Sequence, residues 1–279
     1  MAATIHDVAK LAGVNPSTVS RVLSGKASIS EETKEKIYAA MQQLDYHMNS
    51  VARSLASGLS GAIGVVMDAQ DANAFSNEYF SRSLFAIEQV AQSMGYNVII
   101  ANSARHGAGA ASVEDLMLAR KVDGLILPPS TVKPALLKKV GDFPYAVLGQ
   151  PDQAKQGACW VDVNNEQGAA MAVEHLYQQG YTRIAYLAGD ENAGFVRRRL
   201  KGYKGALKAG AEAQVLPADG SADGATQAVL ASMCGPQPPD AFLCNDNLSA
   251  FGALKALKGA GYQVPKQIGV AVFDNYPLA

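Results

Sequence analysis

The 279-residue sequence predicts two folds in series: an all-α helix-turn-helix head, then a larger two-lobed α/β domain with parallel sheets flanked by helices. Two patterns predict this. Residues 4–44 repeat apolar side chains at helical spacing, with cap and turn residues at the element ends. From Gly61 onward, short continuous apolar runs alternate with helical stretches. The composition, 48% hydrophobic and 18% charged, suffices for a small domain and a larger core behind it.

The first expected helix carries an apolar stripe of Val8, Ala9, Leu11 and Ala12, and Gly13 ends it in the left-handed conformation. The second opens on Asn15-Pro16. Asn15 suits an N-cap, and Pro16 lies where its missing N–H costs nothing. Val19, Val22 and Leu23 face inward, while Ser17, Thr18, Ser20 and Arg21 face outward. A third helix starts at Ser30, takes Glu31, Glu32 and Thr33 into its first turn, and turns Ile37, Ala40, Met41 and Leu44 to the core. Two short helices with a tight turn, the second presenting small polar side chains and an arginine, form the layout that reads the DNA major groove. On this reading Pro16, Ser17 and Arg21 face base edges, Thr18 shares that outer side, and Ser20, Thr33 and His6 face phosphates. A three-helix bundle packed on something other than DNA leaves the same local signature.

Residues 48–60 separate the head, 1–47, from the body, 61–279. Val51, Ala52 and Leu55 share one face at helical spacing, but a helix this short does not stand alone in water. It forms where two copies pack on DNA; Leu55 then wedges between base steps from the minor groove, and Arg53 meets phosphate. The other reading is a flexible linker ending at Ser57-Gly58.

In the body the expected strands are Ile63–Met67, Val98–Ala101, Leu125–Leu127, Tyr145–Leu148, Ile184–Ala188, Ala241–Cys244 and Ile268–Phe273. Expected helices cover Tyr79–Met94, Glu166–Gln179, Arg198–Ala209 and Leu248–Ala260. These are too many strands for one modest sheet, and the run QPDQAKQGAC near 150–160 suggests a break between two lobes. Ligands of such sheets bind outside the carboxyl ends of strands. Asp68, Asn245, Asp246 and Asp274 follow strands there, and Arg199 opens a helix after one. Carboxylate, amide and guanidinium groups together suit a polyol or sugar, whose hydroxyls donate and accept. Each has a plainer use: Asp246 caps the next helix, Asp274 closes a turn, Phe75 and Phe80 join the core, and Arg197 and Arg198 form a solvated run. Trp160, the one tryptophan, packs at the lobe boundary or stacks on a sugar face.

Together the ordered segments resemble the lactose/galactose-repressor family of bacterial transcription regulators, over essentially the whole chain. They are T-I-x-D-V-A-x-x-A-G-V from Thr4, T-V-S-R-V-L from Thr18, S-E-E-T-K-E-K-I from Ser30 and N-x-V-A-R-S-L from Asn49. D-G-L-I-L-P-P from Asp123, R-I-A-Y-L-A-G from Arg183, R-L-K-G-Y from Arg199, Asn245-Asp246 and the closing I-G-V-A-V-F-D-N-Y-P-L-A complete them. Two departures lie in the head, where Asn15 and Ser24 replace the family's usual Ser and Asn; Ser24 weakens one phosphate contact. The resemblance implies a periplasmic-binding-protein-like body and DNA contacts from hinge residues Asn49, Ala52, Arg53 and Leu55. It implies effector contacts from Arg199, Asn245 and Asp274, with Asp68, Phe75 and Phe80 in a looser matching segment. The implied function is a homodimeric repressor that grips a pseudo-palindromic double-stranded operator under control of a small sugar. Gly149 replaces an acidic residue common after that strand; the room it leaves hints at a maltose-like disaccharide, as in maltose-type repressors. A nucleobase or partner protein in place of the sugar, or a sugar-binding transport protein of the same build, are the other readings. Family members usually continue beyond the VFDNYPLA segment, so the second lobe is expected to be truncated at its C-terminus, with an exposed sheet edge and low stability.

Net charge is −1, and the first 60 residues hold six basic against five acidic side chains. With so weak a field, dimer geometry and the hinge must supply much of any DNA affinity. Cys159, Cys234 and Cys244 are odd in number and widely spaced, which suits reduced thiols in a cytoplasm. No signal peptide, membrane-length apolar run, metal-ligand spacing, P-loop, G-x-G-x-x-G or G-x-S-x-G is seen, so no cofactor, metal or enzymatic activity is expected.

Overall fold

The computed structural model describes residues 3–24, 29–46, 58–67, 78–102, 113–152 and 157–274. The expected hinge contacts Asn49, Ala52, Arg53 and Leu55, and the expected ligand contacts Asp68 and Phe75, lie outside these.

The head is three helices, α1 (Ile5–Ala12), α2 (Pro16–Ser24) and α3 (Glu31–Gln43). Thr4 and Asp7 form a reciprocal capping box that starts α1, and Gly13, at φ 66°, ends it. Ser30 caps α3 by accepting from the Thr33 N–H at 3.4 Å. Val8, Ala9, Val19, Val22, Ile37 and Ala40 fill the small core, with Ile5, Ala12, Leu23, Met41 and Leu44 packed around them. Leu11 departs from the expected stripe and is 45% exposed. The stripe that packs is Ile5, Val8, Ala9 and Ala12; at 100° per residue Leu11 falls about 110° from its centre.

The body begins with β1 (Ala62–Met67), α4 (Glu78–Ser93), β2 (Asn97–Asn102), α5 (Val113–Leu118), β3 (Gly124–Leu127), α6 (Pro134–Val140), β4 (Tyr145–Leu148) and β5 (Cys159–Val161). These strands form a sheet in the order β2-β1-β3-β4-β5. It continues with α7 (Asn165–Gln178), β6 (Ile184–Ala188), α8 (Gly194–Ala206), β7 (Gln214–Pro217), α9 (Ala222–Met233), β8 (Ala241–Cys244), α10 (Asn247–Gly259) and β9 (Gly269–Val272). The second sheet has the order β7-β6-β8-β9, with every neighbouring pair parallel. By packing, the chain divides into one unit of Met1–Val66, Ser83–Leu125 and Asp142–Pro144, and another of Met67–Arg82, Ile126–Gly141 and Tyr145–Ala279.

The second sheet shows why its strands read as unbroken apolar runs. Ala185, Leu187, Phe242 and Cys244 pack under α9 and α10 on one face. Ile184, Tyr186, Ala188, Ala241 and Leu243 pack under α7 and α8 on the other. Both faces are covered, so neither side of the alternation is polar. Helices α7 and α8 approach closely: a Cβ on Gly202 would lie 2.0 Å from the Glu166 carbonyl oxygen. That contact brings the start of α7 against the third turn of α8.

Strands β5 and β7, and helices α5, α6 and α9, were not among the expected elements. Gly149 also differs from expectation. Its φ is 113°, and a Cβ there would lie 2.6 Å from the Pro129 ring, so glycine answers the backbone and its neighbour rather than leaving open room. Among the described residues no helix is long and apolar enough to cross a membrane, and no cluster of side chains could hold a metal ion.

Candidate DNA-reading head and ligand site

Helix α2 buries Val19 and Val22 and turns Ser17 and Arg21 to solvent, with Pro16, Thr18 and Ser20 half-buried beside them. The Asn15 carbonyl accepts from the Thr18 and Val19 N–H groups at 2.8 and 3.2 Å, so the start of α2 is fixed by the turn that precedes it. The Thr33 hydroxyl lies 2.8 Å from that of Ser30, at the start of α3, and His6 is exposed on α1. Of the four residues expected to face outward, Ser17 and Arg21 are exposed and Thr18 and Ser20 half-buried, on a helix whose back is held by a packed core.

A second constellation lies at the carboxyl ends of β6 and β8. The chain leaves β6 through α8 toward β7, then returns through α9 to place β8 on the other side of β6. Helices thus depart on opposite faces of two adjacent parallel strands, which opens a crevice at their carboxyl ends. Asn245 directly follows β8 and is 1% exposed. Its Oδ1 accepts from the Tyr186 hydroxyl at 2.9 Å, and its Nδ2 donates to Asp246 at 3.2 Å. Asp246 caps α10 in a capping box with Ser249, as expected.

Arg199 is 8% exposed and sits in the second turn of α8, not at its opening, because α8 starts at Gly194. Its Nε donates to Asn165 Oδ1 at 2.8 Å, and its Nη1 donates to the Asn245 carbonyl oxygen. The guanidinium lies over Phe273, 3.8 Å from the ring centroid, and is flanked by Phe195 at 5.0 Å. Burial pushes its pKa down, and Asp274, Tyr186, Asp246 and Asp162 oppose that in decreasing order. Asp274 is exposed, at a left-handed φ of 72°, and stands near enough to act on the cation. Tyr186 stacks on Tyr203 with centroids 5.4 Å apart, and burial pushes both phenols up, Tyr203 to about 12. Burial likewise raises the thiol of Cys244, while Cys159 and Cys234 are exposed thiols.

The structure therefore brings together Arg199 and Asn245 in direct contact, with Asp274 within electrostatic range. Phe80 is half-buried in the first turn of α4. Of the expected solvated run, Arg197 is exposed and Arg198 is half-buried, and both are paired. Arg197 is paired with Asp152; Arg198 donates to the Gln150 carbonyl at 2.9 Å and stands 3.7 Å from Asp162. Trp160 lies on β5 and is 45% exposed rather than packed away.

Further participants, Phe195 among them, were not foreseen. Asn165 Nδ2 donates to Asp162 and to the Val163 carbonyl, which orients the amide oxygen that receives Arg199. Tyr186 and Phe273 complete the cluster. Asn247, in the first turn of α10, has both side-chain amide atoms buried without a hydrogen-bond partner. The run D-V-N-N at 162–165, which follows a strand and opens a helix, was the available signal.

A helix-turn-helix head joined in one chain to a doubly wound α/β body, with a buried polar cluster at the sheet's switch point, defines the class: a regulator-type head on a sugar-binding-type body. Residues 4–49 match the family described as bacterial regulatory proteins, lacI family. Residues 60–277 match the periplasmic binding proteins and sugar binding domain of LacI family. The chain belongs to the LacI family. It is 37% identical over 211 residues to the transcriptional regulator MalR of Streptococcus pneumoniae, covering 75% of this chain and 63% of that one. The Lac repressor dimer bound to operator and the anti-inducer ONPF is similar at 30% identity and TM-score 0.78, covering 99% of this chain and 84% of that one. The regulator CelR in complex with cellobiose is similar at 26% identity and TM-score 0.69, with the same coverage.

Proposed function

We propose that this chain is a sequence-specific, DNA-binding transcriptional repressor that works as a homodimer in the cytoplasm, with a small neutral sugar setting its grip on a pseudo-palindromic operator. The domains are a head of 1–47, a hinge of 48–60 and an effector-binding body from 61. One observation carries the reading: α2 displays Ser17 and Arg21 on a helix whose opposite face is locked by Val19 and Val22, in the same chain as the Arg199–Asn245 cluster. Pro16, Ser17, Thr18 and Arg21 meet base edges; Ser20 and Thr33 meet phosphates. Asn49, Ala52, Arg53 and Leu55 contact DNA from the hinge.

Arg199, Asn245 and Asp274 contact the effector, with Asp68, Phe75 and Phe80 as further contacts. A guanidinium held between two aromatic rings, an amide and a carboxylate offer donors and acceptors in the mix that sugar hydroxyls require. Phe195, 41% exposed beside Arg199, offers a ring face to the apolar side of a pyranose. The cellobiose complex of CelR favours a disaccharide.

The test is enrichment of duplexes from a random pool by the full chain. The expected result is a recurring pair of inverted half-sites, with Arg21→Ala relaxing the base choice within each. Enrichment of no sequence, with or without saccharides present, contradicts the reading.

A further inference from the structure

The motif D-G-L-I-L-P-P contains a carboxylate that neither the head nor the Arg199 cluster uses. Asp123, half-buried just before β3, accepts the Ser60 N–H on Oδ1 at 2.8 Å and the Gly61 N–H on Oδ2 at 2.8 Å. Ser60 is the last residue of the expected hinge, and Gly61 alone separates it from β1. Two further bonds fix the same point: Asp123 N–H donates to the Ala62 carbonyl at 2.8 Å, and Asn97 N–H donates to the Gly61 carbonyl at 2.8 Å. The Ser60 hydroxyl also accepts from the Ala62 N–H at 3.2 Å. Three consecutive residues, Ser60–Ala62, are thus held to the neighbouring β2 and β3 segments. One carboxylate takes both leading amides, one on each oxygen.

We propose that Asp123 is a positioning residue for DNA binding: it fixes where the hinge leaves the body and so sets the reach and direction of each head. The inference rests on the proposed regulator function. A head on a tether has an effective concentration at its half-site set by where the tether is fixed and by its free length. Releasing Ser60 and Gly61 lengthens the tether and frees its direction. A second head then finds its half-site less often, but over a wider range of separations. Binding of one head to one half-site does not depend on the anchor.

The test uses the full chain and three sets of duplexes derived from the enriched sequence: one half-site, two half-sites at the selected spacing, and two with spacing altered by one to three base pairs. Asp123→Asn keeps the shape but turns one acceptor into a donor facing an N–H. It should weaken binding to the two-half-site duplex about five- to tenfold and flatten the spacing preference, leaving single half-site binding unchanged. Hydrogen exchange at the Ser60 and Gly61 amides should accelerate in step. Inserting two glycines before Ser60, with Asp123 intact, should flatten the spacing preference without disturbing the body.

Unchanged spacing preference in either folded variant overturns the proposal, as does an equal loss on single and double half-sites. If Asp123→Asn fails to fold, Asp123→Ser, which removes one of the two acceptors, decides in its place. If the unaltered protein enriches no duplex, the regulator reading fails; if it does and the variants match it, only the anchor fails.

Discussion

The head and the Arg199 cluster, the two sites proposed for recognition, are built in opposite ways. The head displays its groups: Ser17 and Arg21 project from α2, and a core of six small or medium apolar side chains holds the helix from behind. The cluster hides its groups: Arg199, Asn165 and Asn245 are buried and largely spoken for by one another. The difference teaches which changes should cost binding alone and which should also cost stability. An outward residue on the head changes recognition with little effect on folding. A residue of the cluster cannot be altered without leaving buried polar partners unmatched.

The largest expected effect comes from breaking the cluster. Arg199→Ala strips Asn165 Oδ1 and the Asn245 carbonyl of their donor and removes the cation over Phe273. With two buried acceptors left unmet at roughly 2 kcal/mol each, it should destabilise the body by about 4 kcal/mol, read from urea unfolding. A loss below about 1 kcal/mol would mean that the cluster resembles the head after all. Ile37→Ala opens a cavity in the head core and should cost about 3 kcal/mol there. Duplex binding should disappear while saccharide-induced stabilisation of the body persists; loss of both would erase the contrast.

A pH titration sharpens the comparison within the body. Tyr203 is neutral in the fold, and its pKa is raised from 10.0 to about 12 by burial. Its contribution is complete below pH 10 and is lost as pH rises toward 12, because the unfolded chain releases that proton first. Chemical denaturation across this range should show stability falling, and Tyr203→Phe should remove part of the slope. Arg21→Ala is the smallest in stability, within about 0.5 kcal/mol, yet should alter base preference at one position of each half-site. A uniform loss across all duplexes would make Arg21 a phosphate contact.

The contrast also explains what could be read in the sequence. Head capping and packing act over short spans: Thr4 with Asp7, Ser30 with Thr33, the core stripes at i, i+3, i+4. The central strands were legible because both faces are buried. Strand β5 was not, since all three of its residues are exposed, and β7 is a four-residue sheet edge ending on Pro217. Helix α9, ADGATQAVLASM, is too rich in small residues to mark a face, and α5 is only six residues long. Resemblance singled out Arg199, Asn245 and Asp274. No local pattern reveals that Asn165, 34 residues before Arg199, orients it, or that the Asn245 carbonyl, 46 residues after, receives it. Such pairings exist only once α7 and α8 meet over the sheet.

The central claim is that occupancy of the body by a small sugar alters the grip of the head. Fluorescence anisotropy of the enriched duplex, with and without a saturating saccharide that raises the melting temperature, tests it most directly. Duplex Kd should change by at least about fivefold, and saccharide Kd by the same factor when duplex is present. A duplex Kd that stays the same with the saccharide bound would contradict it.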